Sequence, residues 1–241
     1  MIRAAIVAVF LTFYTLLLGP PLIVHALLTG SVDLLYRVGL RGVLFITRVV
    51  GVRIWVEGVE NIPPGVCIFV ANHTSTADPP AVVGAIPRRI AIMAKESLFR
   101  IPIVGAAFRL ARFVPVDRAD REAAIASIEK AVEHMNEGVS FLIYPEGTRS
   151  PDGRLLPFKK GAFVMAIRAG VPVVPVALIG AHRVMRKNEW AIHPGEIVVK
   201  FRPPMDASAY TLEQRDELAA RAHAALAAAL PPDQQPQESY E

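Results

Sequence analysis

Positions 4–32 are mostly apolar and hold no Lys, Arg, Asp or Glu, and Gly19, Pro20 and Pro21 interrupt the run. Its first part, 4–18, would make a helix of about 22 Å at 1.5 Å per residue, short of the roughly 30 Å of a bilayer's hydrocarbon core. Three readings fit: a single kinked transmembrane helix, a helical hairpin entering one leaflet, or a secretory signal peptide with Val24 His25 Ala26 as its cleavage triplet. The length of the run argues against the third. Arg3 precedes the run and Arg37 and Arg41 follow it. That leaves one crossing without an orientation and suits a hairpin whose two ends face the cytoplasm. Positions 31–50 are helical in period, and Arg37, Arg41 and Arg48 fall within about 40° of one another at about 100° per residue. Leu34, Leu35, Val38, Phe45 and Ile46 supply an apolar surface around much of the remainder. Such a helix lies in a membrane interface or covers a soluble core.

From position 51 the period changes. Val52, Ile54 and Val56 alternate with Arg53, Trp55 and Glu57 as a strand. Further strands are expected at 66–71, 89–94, 113–116, 139–144, 171–179 and 196–201. The stretch 98–112 is apolar, with Arg100, Arg109 and Arg112 interspersed, and is interrupted by Pro102 and Gly105; helical stretches are expected from Ala81, at 121–137 and at 162–169. Gly138 and Gly170 stop the last two. Pro172 and Pro175 mark 171–179 as an edge or irregular strand. Thr211 with Gln214 resembles a capping box before an Ala-rich helix to Leu230. Alternating strands and helices predict an α/β fold, a mixed, mostly parallel sheet flanked by helices, preceded by an N-terminal apolar helical membrane-binding element. The chain divides into a membrane-associated hairpin or anchor at 1–50, an α/β domain at 51–230 and a tail at 231–241 expected to be disordered.

The composition is 53% hydrophobic and 20% charged over 241 residues, enough for one large domain plus an appendage. Net charge is +4, and the tail contributes Asp233, Glu238 and Glu241 with no base, which leaves +7 on the rest (4 plus 3). A basic body suits anionic lipid surfaces, phosphorylated substrates or an acidic carrier; no nucleic-acid motif accompanies it. Cys67 is the only cysteine, so an internal disulfide and a cysteine metal cluster are both out of reach. His25, His134, His182, His193 and His223 show no metal-ligand spacing, and no bound metal or resident cofactor is expected.

The chemistry-bearing stretch is Asn72 His73 Thr74 Ser75 Thr76 Ala77 Asp78, between the strand ending at Ala71 and the helix that follows Pro79 and Pro80. His73 therefore stands at the carboxyl end of a sheet strand, where open α/β sheets bind ligands. Five positions apart on one α-helix, His73 and Asp78 would diverge by about 140°. The hydroxyl residues between them must loop for the pair to meet. A carboxylate on one imidazole nitrogen fixes the tautomer and frees the other to take a proton from a substrate, making His73 a general base. The plainer alternative for Asp78 is a helix cap before proline. Other polar residues collect after two further strands: Lys95, and Glu146, Gly147, Thr148 and Arg149.

Asn72 His73, four residues, then Asp78, followed by Val116 Asp117 Arg118, by Pro145 Glu146 Gly147 Thr148 Arg149 and by Val171 Pro172 Val173 Val174 Pro175 Val176, resembles the four ordered blocks of the glycerolipid acyltransferases. The likeness covers about 51–204. It implies transfer of a fatty acyl group from a thioester, on coenzyme A or acyl carrier protein, to a lysophospholipid. The nearest pattern within that family acylates the sn-2 hydroxyl of 1-acyl-glycerol-3-phosphate, giving phosphatidic acid, with the site on the cytoplasmic face of a membrane.

Carried over, His73 and Asp78 are the base and its orienting partner. Arg118 and Arg149 meet the acceptor phosphate, Glu146 and Gly147 shape the glycerol pocket beside Thr148, Lys95 helps bind phosphate, and 171–176 lines the site. Two places depart from the family's habit: Arg112 stands about where Gly often begins the second block, and Tyr144 where Phe is more usual. Outside the blocks, Arg88, Arg89, Arg183, Arg186 and Lys187 are available to a donor's phosphates or to an acidic carrier. No serine elbow and no phosphate-binding glycine loop compete with this chemistry. Two alternatives stay open: another lysolipid acceptor, or a catalytically silent lipid-binding protein on the same fold.

Overall fold

The computed structural model describes residues 1–117 and 120–237; Arg118 therefore lies outside the described residues. Two helices come first, α1 (Ile2–Thr29) and α2 (Asp33–Val49), joined through Gly30, whose φ of 69° ends α1 in the left-handed region. The expected interruption at Gly19, Pro20 and Pro21 does not occur, since all three lie inside α1. Packing explains why. Gly19 is buried against α5 (Pro102–Leu110), and a Cβ there would sit 2.4 Å from Ile103 Cγ2. A helix held so closely along its side tolerates the two amide donors that the prolines remove. The turn of the hairpin falls at 30–32 instead. Gly42 of α2 accommodates the Tyr14 ring in the same way, and Tyr14 donates its hydroxyl hydrogen to Val38 O at 2.9 Å. The triplet 24–26 lies within α1, with Ala26 buried.

Ile6, Val9, Phe13, Leu16, Leu17, Val24, Leu27 and Leu28 are exposed on the outer side of α1. This is the one described helix long and apolar enough to cross a membrane, with 28 residues and a mean hydropathy of 2.1 over an 18-residue window. The next helix, α2, covers the sheet: Leu35 and Ile46 are buried, and the Tyr36 hydroxyl donates to Ile90 O at 3.2 Å. Phe45 and Val49 remain exposed on its other side.

Seven strands form one sheet in the order β1-β7-β6-β2-β5-β3-β4. They are β1 (Val52–Glu57), β2 (Ile68–Ala71), β3 (Ile90–Lys95), β4 (Val114–Val116), β5 (Ser140–Ile143), β6 (Val173–Ile179) and β7 (Gly195–Phe201). Every neighbouring pair is parallel except β6–β7, so the sheet is mixed and mostly parallel, as the alternation of elements predicts. Helices lie on both faces. Around Phe69, Leu142, Val176 and Val199, α2, α3 (Asp78–Ala85) and α8 (Ala181–Val184) close one core. Around Ile68, Val70, Phe141 and Phe163, α6 (Arg121–Asn136), α7 (Gly161–Ala169) and α9 (Arg215–Ala227) close the other. The short α4 (Glu96–Phe99) follows β3 directly. Thr211 and Gln214 do form a capping box, on a 3₁₀ turn that runs into α9.

Two expectations need correction. First, of the two alternatives for 171–179, edge or irregular, β6 is the irregular one: an interior strand between β7 and β2 despite Pro175. Val176 pairs with Phe201 while Val173 bridges Met205, so three steps along β6 (173 to 176) face four along its neighbour (201 to 205). The ladder is bulged on the side where Pro175 O accepts from Arg202 N at 2.8 Å, the side its absent N–H would have faced. Second, the tail is ordered as far as Gln237. Gln234 is fully buried; its Nε2 donates to Leu178 O at 3.2 Å, its Oε1 accepts from Gly180 N at 3.0 Å, and its carbonyl accepts from Leu155 N at 2.9 Å. A polar tail without an apolar pattern is held here by hydrogen bonds to the backbone of β6, of Gly180 and of Leu155.

Candidate active site

The parallel strands β2, β3, β4, β5 and β6 all end at one edge of the sheet, and the site forms there. Asn72 follows β2 and clasps β6 as a backbone would: its Nδ2 donates to Leu178 O at 2.9 Å and its Oδ1 accepts from Leu178 N at 2.7 Å. Next, the chain loops through 73–77 into α3. His73 Nδ1 lies 2.9 Å from Asp78 Oδ2, and the same oxygen accepts the amides of Thr74 and Ser75 at 2.7 Å each. An oxygen receiving two amide hydrogens is an acceptor toward the ring as well, so Nδ1 is the donor and Nε2 is left for a substrate.

The helix-cap reading of Asp78 fails. Asp78 is the first residue of α3, Ala77 occupies the cap position, and Ala81 N donates to Ala77 O. The carboxylate is fully buried and turned back into the loop, with Oδ1 taking no hydrogen bond.

A second loop, 145–150 after β5, grips the His73 peptide from both sides. Glu146 Oε1 accepts from His73 N at 2.7 Å, and Ser150 N donates to His73 O at 2.7 Å. Gly147 makes this turn possible with a φ of 73°, and a Cβ on it would meet Lys159 Cε at 2.8 Å. Tyr144, at the end of β5, stacks on His73 with ring centroids 4.1 Å apart. Burial, and then the negative charge of Asp78, push the Tyr144 phenol well above its ordinary value, so it stays neutral. Glu146 is 4% exposed, and its pKa is raised from 4.5 to about 8. Burial is the main cause and Asp78 adds to it, while the amides of His73 and Leu156 pull the other way.

In front of His73 opens a cleft of about 810 Å³, with His73, Tyr144, Lys95, Arg149, Thr76 and Lys187 among its walls. Arg149 Nη1 donates to Thr76 Oγ1 at 2.7 Å, tying the second loop to the first. The cleft shares Thr76, Pro79, Ile92, Phe108 and Phe113 with an adjoining apolar cavity of about 390 Å³ under α2, closed by Leu35, Leu40, Val43 and Val83. A basic mouth beside His73 and an apolar chamber next to it suit a substrate with a charged head and a hydrocarbon chain.

Of the expected residues, the structure brings His73 and Asp78 together and puts Lys95, Gly147, Thr148 and Arg149 on the cleft. Glu146 stands behind His73 and holds its peptide, away from the cleft walls. The 171–176 block is not a wall of the cleft: Val173, Val174 and Val176 are fully buried in β6, and the strand's contribution is the Leu178 backbone that Asn72 clasps. Asn72, Tyr144, Thr76 and Ser150 carry roles that no spacing argument reaches. Their partners lie about seventy residues or more away along the chain, and only Asn72, which opens the first block, and the unusual Tyr144 carried a visible signal.

The family model described as Acyltransferase matches residues 53–179. A 1-acyl-sn-glycerol-3-phosphate acyltransferase of Limnanthes douglasii is 35% identical over 187 residues, 77% of this chain and 66% of that protein. One of Pseudomonas aeruginosa is 34% identical over 186 residues, 76% of this chain and 72% of that protein. Among the plant relatives the chain spans between 44% and 66% of their length. The crystal structure of the 1-acyl-sn-glycerophosphate (LPA) acyltransferase PlsC from Thermotoga maritima superposes with a TM-score of 0.77 at 30% identity, covering 93% of each chain.

Proposed function

The chain belongs to the acyltransferase family, and from that premise we propose that it moves a fatty acyl group from a thioester to the sn-2 hydroxyl of 1-acyl-glycerol-3-phosphate, forming phosphatidic acid. The observation that carries the reading is the His73–Asp78 pair, 2.9 Å apart at a cleft that combines cations with an apolar chamber. Relatives across plants and bacteria bear the corresponding name.

Asp78 holds the imidazole through Nδ1. His73 Nε2 removes the proton from the acceptor hydroxyl as its oxygen forms a bond to the thioester carbonyl carbon. The tetrahedral adduct collapses, the C–S bond breaks, and the leaving sulfur takes the proton back from the imidazolium. Ester and free thiol result, with no covalent acyl-enzyme. Lys95, Arg118 and Arg149 offer the donors a phosphate needs, and Arg149 can present a two-pronged fork. The apolar cavity under α2 is open to an acyl chain. The donor is acyl-CoA or acyl carrier protein; no resident cofactor takes part.

The same reading puts the enzyme on a membrane. α1 bears an exposed apolar face, and it packs on α5, whose Phe108 borders both cleft and cavity. Leu98, exposed on the cleft rim, and Ile101 beyond it extend the apolar surface from α1 toward the mouth. Arg3 in the first turn of α1 and Arg48 in the last turn of α2 put a basic residue at each open end of the helix pair, which favours a cytoplasmic site.

Acyl transfer by the detergent-purified protein from long-chain acyl-CoA and from acyl carrier protein, to lysophosphatidate and to a panel of other lysolipids, tests the proposal. Transfer confined to lysophosphatidate is expected. Transfer only to another lysolipid would change the acceptor and keep the chemistry; no transfer from either donor would favour a silent lipid-binding protein.

A further inference from the structure

Five cations outside the family-like blocks are available in the sequence to meet a substrate phosphate, and the structure separates them. Arg88 is drawn under the sheet, donating to Pro63 O at 2.5 Å and to Cys67 Sγ at 3.1 Å. Arg89 pairs with Asp33 at 3.0 Å, Arg183 with Asp233 at 2.5 Å, and Arg186 lies 3.9 Å from Glu189. Lys187 alone of the five reaches the cleft, where its Nζ donates to Thr148 Oγ1 at 3.2 Å. It comes from the stretch between α8 and β7, beyond the residues the family model matches.

Its surroundings set it apart from the ordinary surface cations. Arg100 on the same cleft is matched by Glu96 at 2.9 Å, Lys160 by Asp216 and Lys200 by Glu57. Lys95, Arg149 and Lys187 have no carboxylate partner among the described residues; Arg149 and Lys187 are instead oriented by neutral hydroxyls, Thr76 and Thr148. A hydroxyl aims a cation without cancelling its charge. The cleft also bears the Asp117 carboxylate; three such cations outnumber it and leave a net positive field for a dianion.

We propose that Lys187 is part of the subsite that binds the acceptor's phosphate, and that its bond to Thr148 sets it beside Arg149 for that purpose. This rests on the functional reading above. Proximity to His73 selects the acceptor over the donor. In a glycerol 3-phosphate the phosphorus is only three bonds from the carbon bearing the reacting hydroxyl, whereas a donor's phosphates lie at the far end of its pantetheine arm. Thr148 and Arg149 belong to the loop that grips the His73 peptide, so a cation held by that loop is near the reacting oxygen.

The test is steady-state acyl transfer by full-length Lys187→Ala, Lys187→Arg and Arg186→Ala, with lysophosphatidate, with phosphate-free monoacylglycerol and with acyl-CoA each varied. Removing one charge-assisted contact at a partly exposed site should raise KM for lysophosphatidate about tenfold. We expect kcat and KM for acyl-CoA to move less than about twofold and Lys187→Arg to recover most of the loss. The preference for lysophosphatidate over monoacylglycerol should narrow by the same factor. Arg186→Ala, which removes the same charge one residue away, should leave all of these unchanged. A KM shift that falls on acyl-CoA, or no shift in either, overturns the subsite while wild-type transfer keeps the functional reading. Absence of wild-type transfer overturns both.

Discussion

The loop that carries His73 and the rim that carries the cations are built in opposite ways. Within 72–78 the groups that fix the base are bonded: one Asp78 oxygen serves the imidazole and two amides, Asn72 is clasped by β6, and the His73 peptide is held at both ends by 146–150. Lys95, Arg149 and Lys187 arrive from three separate segments and have no carboxylate partner among the described residues. A base must be held in one orientation to act, whereas a phosphate-binding cation must keep its charge unmatched until the substrate arrives. Substitutions in the first region should therefore act on turnover, and those in the second on substrate affinity.

The largest effect is expected at the base. His73→Ala should lower kcat by about 10²- to 10⁴-fold and leave the far-ultraviolet circular dichroism spectrum unchanged; a turnover within tenfold of wild type would remove His73 from the chemistry. Asp78→Asn follows. It should reduce kcat by about 10² or more and also cost about 1–3 kcal/mol in urea melts, since the buried oxygen satisfies two amides besides the ring. A variant that loses turnover alone would mean that Asp78 orients the ring and does not hold the loop.

Across the divide, Arg149→Ala should raise KM for lysophosphatidate about tenfold or more, with a smaller change in kcat, and Arg149→Lys should recover only part, for lack of the planar fork. Falling kcat at constant KM would join Arg149 to the reaction centre and erase the contrast drawn here.

The effect with the least bearing on catalysis concerns Glu146 and falls on stability, with a folded pKa of about 8 against 4.5 when free. A raised carboxyl binds its proton more tightly in the folded state, so its stabilising contribution is complete below about pH 4.5 and fades as pH rises through about 8. Glu146→Gln cannot titrate yet still offers His73 N an acceptor. Its stability relative to wild type should rise between pH 5 and pH 9, by up to about 4 kcal/mol if burial is retained. A difference that stays flat across that range would show that Glu146 is ionised in the folded protein throughout.

How far each region could be read in advance follows the same division. The strands of the sheet were legible because buried parallel strands are short apolar runs, and His73 and Asp78 because their partnership spans five residues and a single turn. For 171–179 the irregular alternative held and the edge alternative did not, because Pro175 is absorbed by a bulge whose other half, 201–205, is about thirty residues away. The 145–150 loop was legible as chemistry but not in its division of labour. Nothing in the order Glu146, Gly147, Thr148, Arg149 says that the first turns inward to a backbone amide while the last faces the cleft.

By itself, then, the sequence determined the periodicities and hence the α/β alternation, the apolar N-terminal helix, and the residue types that can hold a proton or a phosphate. These are local properties of the chain: side-chain polarity, spacing and turn propensity. Tertiary structure alone decided that Pro20 and Pro21 stay inside α1, that Gln234 is locked under Leu178, and that of five spare cations only Lys187 meets the cleft. Each depends on a partner far along the chain whose burial or charge completes it, and no local pattern encodes which distant group will be that partner.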